Sequence, residues 1–569
     1  MINEKYNLWC KKATKDPDLI KELKELEGNE EQISDAFYKD LEFGTAGLRG
    51  VIGAGTNRMN IYTVGQASQG LASYVNSVTK NGSIAIAYDS RIKSEVFAKV
   101  SAEVFAANGI KVYIYDELVP TPMLSFAVRR LGCDAGVVIT ASHNPAKYNG
   151  YKAYAPDGSQ LGPEAADYVL SIMQSVDIFD GVKSVDFDTA LAEGKIEYIS
   201  QDIIEEYLQN VAKQRVEKDI DFSALKVIYT PLNGAGNKPV REILKRIGGE
   251  NVTVVPEQEK PDGNFPTCPY PNPEIRQPFE CALKLADEIK PDILLATDPD
   301  SDRVGIAVNQ NGEFILISGN DMGVLLLNYI LERRTANGTL PKNPVAVKTI
   351  VSSELCQKIA DDYGCTLINV LTGFKFIGEQ ITLLAEKGEQ DRYILGYEES
   401  YGYLCGDYAR DKDAVVASML ICEMTVFYKN QGKTLLDILE GIYNKYGYYY
   451  SQQKSFTCEG QSGMAKIKQI MEDLRQNPPK EICGSKVIKL NDYGTSVSYD
   501  FVNNTTSEIT LPKSQVLSYF LEDDSTFIVR PSGTEPKIKT YICAVGKTKQ
   551  DAEKKREDMV NAGTKLLGF

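Results

Sequence analysis

Along residues 15–40, KDPDLIKELKELEGNEEQISDAFYKD, apolar positions return every three or four residues with charges between them. That spacing predicts a helical lead-in ahead of the first domain. Beyond it the rhythm changes. Short β-branched runs alternate with amphipathic stretches: IAIAYD (84–89) precedes IKSEVFAKVSAEVFAANG, and VYIYD (112–116) precedes PTPMLSFAVRRLG. The alternation predicts βαβ units around a mixed or mostly parallel sheet. It recurs at ALKVIYTPLNG (224–234), PDILLATDPD (291–300), PVAVKTIVSS (344–353) and RYILGYEES (392–400). The last segment is strand-rich, with KVIKLNDYGTSVSYDF and SEITLPKSQVLSYF before the closing helix TKQDAEKKREDMVNAGTKLL, as in an α+β domain.

In open α/β sheets ligands collect where strands end, so the polar loops after these runs are the places to seek chemistry. Four exits stand out: VVIT into ASHNP, ILLA into TDPDSDR, YILG into YEES, and TFIV into RPSGTEPKIK. They lie roughly one domain's length apart. The expected organisation is therefore four domains, 1–205, 206–320, 321–450 and 451–569, each sending one loop to a shared central cleft. The fold class is α/β, with three mixed α/β domains and a smaller α+β C-terminal domain. A chain of 569 residues agrees with that count at about 150 residues per domain.

Composition narrows the partners. With 43% hydrophobic and 25% charged residues the chain has enough apolar surface for several cores. Its 63 Lys and Arg against 78 Asp and Glu give a net charge of −15, which repels nucleic acid and membrane surfaces. Any bound phosphate must be met by locally placed cations. The N-terminus lacks a signal-peptide core and no run approaches the ~20 apolar residues of a membrane span, so a cytoplasmic protein is expected. Eleven cysteines at irregular spacing, without a CxxC pair, read as reduced thiols. His143 is the only histidine, which excludes HExxH chemistry and His-rich metal sites.

DPDSD places Asp298, Asp300 and Asp302 at alternate positions. On an extended segment all three carboxylates point one way and can share a hard divalent cation. An EF-hand loop would need glycine sixth and an acidic residue twelfth, where Arg303 and Asn309 stand. A solvated acidic turn is the plainer alternative, but three carboxylates straight after an apolar run repel one another without a cation. Arg303 offers a fork for phosphate or carboxylate, or an internal ion pair with the aspartates. In RPSGTEPKIK, Arg530, Ser532, Gly533 and Thr534 with lysine neighbours form an anion nest suited to phosphate, though a lone Ser-Gly-Thr turn would be only a loop. Glu398 and Ser400 can bracket vicinal sugar hydroxyls. Lys375 and Lys412 fit either phosphate or surface charge. Ser142 beside His143 evokes a hydrolase triad, but neighbours on an extended chain point to opposite sides, so His143 is not expected to serve as its base. A serine near three carboxylates and a phosphate nest points instead to a serine that carries phosphoryl, with Lys152 a candidate proton shuttle if cationic neighbours lower its pKa.

TASHNP, DPDSDR, GYEES and RPSGTEP, in this order and at domain spacing, together with FGTAGLRG (43–50), resemble the α-D-phosphohexomutase superfamily over nearly the whole chain. The resemblance implies one Mg²⁺ held by Asp298, Asp300, Asp302 and an oxygen on Ser142, which would be the phosphoserine of the resting enzyme. Ser142 would give its phosphoryl to a sugar monophosphate, and the bisphosphorylated sugar would turn over and return its other phosphate. Glucose 1,6-bisphosphate would be intermediate and activator. By the same resemblance Lys152 is the general acid/base, His143 a polar helper, and Arg49 orients or neutralises the phosphoryl group. Glu398 and Ser400 would hold sugar hydroxyls, Thr372 and Gly373 would read ring orientation, and Arg530, Ser532, Gly533 and Thr534 would clamp the non-reacting phosphate. Arg303, Lys375 and Lys412 match further substrate-binding positions.

GYEESYGYL lacks the GEMSGH pattern of dual mannose/glucose enzymes and the GEQSGH pattern of phosphoglucosamine mutases. It is most similar to the branch holding bacterial α-phosphoglucomutases and animal phosphoglucomutase/phosphopentomutase enzymes. That implies exchange of glucose 1-phosphate and glucose 6-phosphate by a monomer or homodimer, with phosphopentomutase and phosphomannomutase as alternatives. A metal-dependent phosphatase using Ser142 transiently, and a binding protein without turnover, are the readings from other classes.

Overall fold

The computed structural model describes residues 2–44, 47–458, 460–532 and 537–569. Three helices precede the first sheet: Ile2–Lys12, Pro17–Glu25 and Glu30–Phe37. The lead-in thus begins earlier than the pattern over 15–40 implied. Tyr6, Trp9 and Ala13 line one buried face, and the Trp9 ring meets Phe37, Tyr62 and Phe179 edge-on at 5.4 to 5.8 Å. Asp16 caps the second helix by accepting from the Asp18 N–H, with Pro17 at its first position.

Four sheets follow. In the first, Ser83–Tyr88 lies parallel to both Lys111–Ile114 and Ala135–Ile139, while Tyr148–Tyr154 and Gly47–Val51 add antiparallel strands beyond the latter. Every residue of Ala135–Ile139 is buried, as in a strand covered on both faces. The second sheet centres on Ile293–Thr297, flanked by parallel Val227–Thr230 and antiparallel Val304–Gln310. Val345–Thr349 and Tyr393–Glu398 pair in parallel at the heart of the third. The fourth is antiparallel, its two longest strands Tyr448–Thr457 and Lys537–Gly546 pairing along their whole length, with helices Gly460–Gln476 and Lys549–Leu566 alongside.

The first three units share one continuous core, running from Tyr115 and Tyr207 through Tyr229 and Ile293 to Tyr329, Leu395 and Ile421. A buried carboxylate joins the second and third. Glu423 accepts from the Val216 and Glu217 N–H groups at 2.9 and 3.1 Å, from Tyr329 Oη at 3.0 Å and from Arg215 Nε at 3.2 Å. The last unit has its own core, lends Tyr449, Cys543 and Ala552 to the large one, and meets the third again through a smaller cluster in which Ile350, Val351 and Leu371 face Val516, Ile528 and Tyr541. No described helix is long and apolar enough to cross a membrane.

Candidate active site

The strand Ala135–Ile139 runs out into Thr140 and Ala141, and Ser142 then turns sharply with φ +52°. Its N–H donates to Thr140 Oγ1 at 2.8 Å, and Thr140 Oγ1 donates to Asp89 Oδ2 at 2.6 Å. A left-handed serine is uncommon and persists only where the surroundings over-determine it. Here they do. The buried Arg91 guanidinium donates to the carbonyls of Ser142, Asn144, Pro145 and Tyr148. The turn also corrects the expectation that His143 must face away: Ser142 Oγ lies 3.3 Å from His143 Nδ1, because alternation fails where the chain is not extended. Burial, with the Arg303 and Arg49 cations, pushes the imidazole well below its usual range, so it is neutral.

Ser142 Oγ donates to Asp298 Oδ2 at 2.8 Å, across domains. The aspartates sit in a turn rather than on an extended segment, with Ser301 at φ +50°. Asp298 Oδ1 accepts from the N–H groups of Asp302 and Arg303 at 3.1 and 2.9 Å and so closes that turn. The turn, not alternation, gathers the three buried carboxylates so that one oxygen of each lies within 4.8 Å of the others. Three units hold it: Thr121 donates its N–H to the Asp300 carbonyl and its Oγ1 to Asp300 Oδ2, the Ala235 N–H reaches the Pro299 carbonyl, and the Ala414 N–H the Ser301 carbonyl.

These residues fit a divalent cation. Asp300 Oδ1 and Asp302 Oδ1 are buried without a hydrogen-bond partner among the described residues. An all-oxygen, carboxylate-rich donor set suits Mg²⁺ in preference to softer metals. Burial and the two neighbouring carboxylates push Asp298 well above the usual range. Burial acts the same way on Asp300 but is outweighed by Lys152, and on Asp302 by Lys412 and Lys152, so both lie below it.

Lys152 Nζ stands 2.7 Å from Asp300 Oδ2 and 3.3 Å from Asp302 Oδ2. Lowering of its pKa by cationic neighbours is not what the site does. Burial and Lys412 lower it, but the Asp300 and Asp302 carboxylates outweigh them and the pKa is raised. Lys412, open between phosphate and surface charge on sequence, is buried, 3.2 Å from Asp302 Oδ2 and 2.9 Å from Asp411 Oδ1. Arg303 pairs chiefly with Glu274, 2.7 Å away, and donates to the Ser400 carbonyl at 3.0 Å; Asp302 is farther, at 3.7 Å. Glu398 Oε1 accepts from the Gly373 N–H at 2.9 Å, bringing the 372–375 loop onto the 398–400 turn. Thr372 Oγ1 is buried without a partner among the described residues.

Other expected residues join less directly. Arg49 is exposed on the strand Gly47–Val51, opposite Gly150, its charge felt at His143 and Arg91. Lys375 lies on the helix Phe374–Glu386 with Nζ 5.1 Å from the Phe376 ring, and burial lowers its pKa. Arg530 Nη1 donates to Tyr541 Oη at 3.3 Å, and the Ser532 N–H to the Lys537 carbonyl at 2.8 Å. Gly533 and Thr534 lie outside the described residues. Sequence reasoning missed Asp89, Arg91, Thr121 and Glu274. The first two follow the strand Ser83–Tyr88, a parallel strand exit that the same rule could have flagged.

Comparison with known proteins speaks to the family. Residues 40–178, 205–312 and 318–446 match, in order, the families described as phosphoglucomutase/phosphomannomutase, alpha/beta/alpha domains I, II and III. A phosphoglucomutase of Staphylococcus aureus (strain MRSA252) is 39% identical over 539 residues, 94% of each chain. One of Staphylococcus saprophyticus is 37% identical over 536 residues, covering 94% of this chain and 95% of the relative. Among solved structures, a putative phosphomannomutase of Thermus thermophilus superposes with a TM-score of 0.69 at 20% identity, over 93% of this chain and 100% of the other. The open form of pp63/parafusin from Paramecium gives 0.68 at 18% identity, over 93% and 95%. Three successive domain matches and relatives close to two-fifths identical over nearly full length place this chain in the phosphoglucomutase/phosphomannomutase family.

Proposed function

We propose that the chain is a phosphoglucomutase, interconverting α-D-glucose 1-phosphate and glucose 6-phosphate through a phosphoserine at Ser142 and glucose 1,6-bisphosphate. The observation that carries it is the convergence on three clustered, buried carboxylates of Ser142 Oγ, bonded to Asp298, and Lys152, bonded to Asp300 and Asp302, across two domains. Relatives named phosphoglucomutase, similar over almost the whole length, support glucose as the sugar. The protein acts in the cytoplasm, with the segments 1–205, 206–320, 321–450 and 451–569 each lending one loop.

In the forward half-reaction the bond from phosphorus to Ser142 Oγ breaks as one forms to the free sugar hydroxyl; the hydroxyl's proton passes to Lys152 Nζ in its neutral form, a form that the Asp300 and Asp302 carboxylates oppose unless a cation shares their charge. After the bisphosphate turns over, Ser142 Oγ takes the other phosphoryl group and Lys152 returns a proton to the departing sugar oxygen. Asp298, Asp300, Asp302 and an oxygen on Ser142 would hold Mg²⁺, which supplies charge compensation for the phosphoryl group. Neutral His143 offers a polar contact to that group and Arg49 its cation. Glu398 and Ser400 grip sugar hydroxyls; Thr372, Gly373, Arg303, Lys375 and Lys412 surround the ring and its phosphate; Arg530, Ser532, Gly533 and Thr534 clamp the phosphate that does not react.

The test is coupled turnover with Mg²⁺ and a trace of glucose 1,6-bisphosphate, comparing the 1-phosphates of glucose, ribose and mannose while free phosphate is followed. Glucose 1-phosphate should lead by at least about tenfold in kcat/KM. Preference for ribose would transfer the reading to a phosphopentomutase. Free phosphate without isomerisation would replace it with a phosphatase.

A further inference from the structure

Residues 260–276 connect the short helix Pro256–Glu259 to the turn Gln277–Phe279 and contain none of the four loops above. The segment is pressed against the first domain, backbone to backbone: a Cβ on Gly263 would stand 2.4 Å from the Ile92 nitrogen and 2.8 Å from the Ser90 oxygen. Two residues on, Phe265 is 1% exposed and holds φ +47°, an unusual conformation for a bulky side chain. Its ring lies 5.1 Å from the guanidinium carbon of Arg91, the side chain that gathers four carbonyls of the 142–148 loop. Arg91 is fully buried, and the ring joins the four carbonyls and the Asp89 carboxylate, 3.4 Å away, in fixing its guanidinium.

Farther along, the Tyr270 ring meets His143 edge-on at 5.9 Å. The Pro273 carbonyl then comes so close to Gly305 that a Cβ there would stand 2.2 Å from it. Glu274 finally holds Arg303 at 2.7 Å, and Arg303 in turn holds the Ser400 carbonyl. One segment of the second domain therefore reaches the serine loop of the first and the sugar-side turn of the third, each through one arginine.

We propose that residues 260–276 form a strap that sets two active-site loops separately: Phe265 acts through Arg91 on the Ser142 loop, and Glu274 acts through Arg303 on the Glu398–Ser400 turn. Phe265, Arg91 and Glu274 are positioning residues. Losing the ring lets the guanidinium shift and the left-handed serine relax, which slows transfer from Ser142 without altering the sugar contacts. Losing the Glu274 charge leaves Arg303 nearer its other anion, Asp302, and loosens the turn that meets the sugar. The kinetic consequence rests on the sugar-phosphate reading above; the structural one does not.

The experiment compares Phe265→Leu, Phe265→Tyr and Glu274→Gln in the full chain by steady-state kinetics and by native-state hydrogen exchange. Phe265→Leu should lower kcat about tenfold with KM within about twofold, and Phe265→Tyr, which keeps the ring face, should restore it. Glu274→Gln should raise KM about tenfold with kcat within about threefold. In parallel, amides of 140–150 should exchange faster only in Phe265→Leu, and those of 398–404 only in Glu274→Gln. Equal shifts of kcat and KM in both variants, failure of the Tyr variant to rescue, or wild-type exchange at 140–150 in Phe265→Leu would overturn the strap. Loop-specific exchange in a protein that isomerises no sugar phosphate would uphold the strap and remove the function reading.

Discussion

Replacing Asp300 with asparagine tests the metal turn with almost no change of shape. Asp300 is fully buried; its Oδ2 accepts from Lys152 Nζ at 2.7 Å and Thr121 Oγ1 at 2.9 Å, while Oδ1 has no partner among the described residues. The substitution removes one of three anionic donors. Changes to groups that merely orient a metal ligand cost 10- to 100-fold in affinity, so loss of a charged ligand should cost at least about 100-fold, roughly 2.7 kcal/mol. At a Mg²⁺ concentration about 100 times the wild-type Kd, binding stabilises the native protein by about 2.7 kcal/mol, but the variant by only about 0.4 kcal/mol. The metal-free variant is also weakened, because Lys152 loses its nearest counter-charge. Asp302 remains 3.3 Å from Nζ, so the loss should fall near the low end for a broken buried pair, about 3 kcal/mol. The diagnostic quantity is therefore the Mg²⁺-dependent increment, measured by urea unfolding of each protein with and without Mg²⁺. An increment equal in the two proteins would refute a metal site built on this turn, whatever happened to activity.

Ser142→Ala should abolish isomerisation, by about 10⁴-fold or more, yet leave sugar-phosphate binding by calorimetry within about tenfold; retained turnover would remove Ser142 from the chemistry. Glu423→Ala strands four donors in the core and should destabilise by about 3 to 5 kcal/mol in urea unfolding, with Glu423→Gln milder because it still accepts; an effect under about 1 kcal/mol would show that this carboxylate is not holding the second and third units together. Burial and the neighbouring Glu398 carboxylate push Glu399 from 4.5 up to about 7. Its raised folded pKa means that stability is fully present below about pH 4.5 and is lost as pH rises through about 7, by at most about 3 kcal/mol. Glu399→Gln should therefore gain on the wild type across that window in paired unfolding midpoints, and parallel pH profiles would show that Glu399 ionises freely.

The strand exits were legible because each is a local event: an apolar run long enough to cross a buried sheet must end in residues that tolerate its edge, and parallel strands end on one side. Period alone therefore located Ser142, Asp298 and Glu398 at the ends of strands, and the α/β architecture follows from the same alternation. What failed was geometry inferred from an extended chain. Ser142 and Ser301 both take positive φ, at +52° and +50°, which turns His143 toward the serine and gathers the aspartates by a turn rather than by alternation. Nothing local marks such residues, because serine is not a residue that favours this conformation; the strain is imposed by distant partners. For Ser142 those partners are an arginine some fifty positions upstream and, beneath it, a phenylalanine from another domain. The first helix was missed for a related reason: its buried residues are Tyr6 and Trp9, with Ala13 just past its end, and it becomes legible as amphipathic only once Phe37, Tyr62 and Phe179 supply the other side. A residue that acts on a ligand leaves a polar signal in an apolar context, whereas a residue that acts on another residue resembles core. Arg91 is the intermediate case, a cation in a strand-exit loop that its burial would have disguised as an ordinary ion pair with Asp89 had the four carbonyls around it not been seen together.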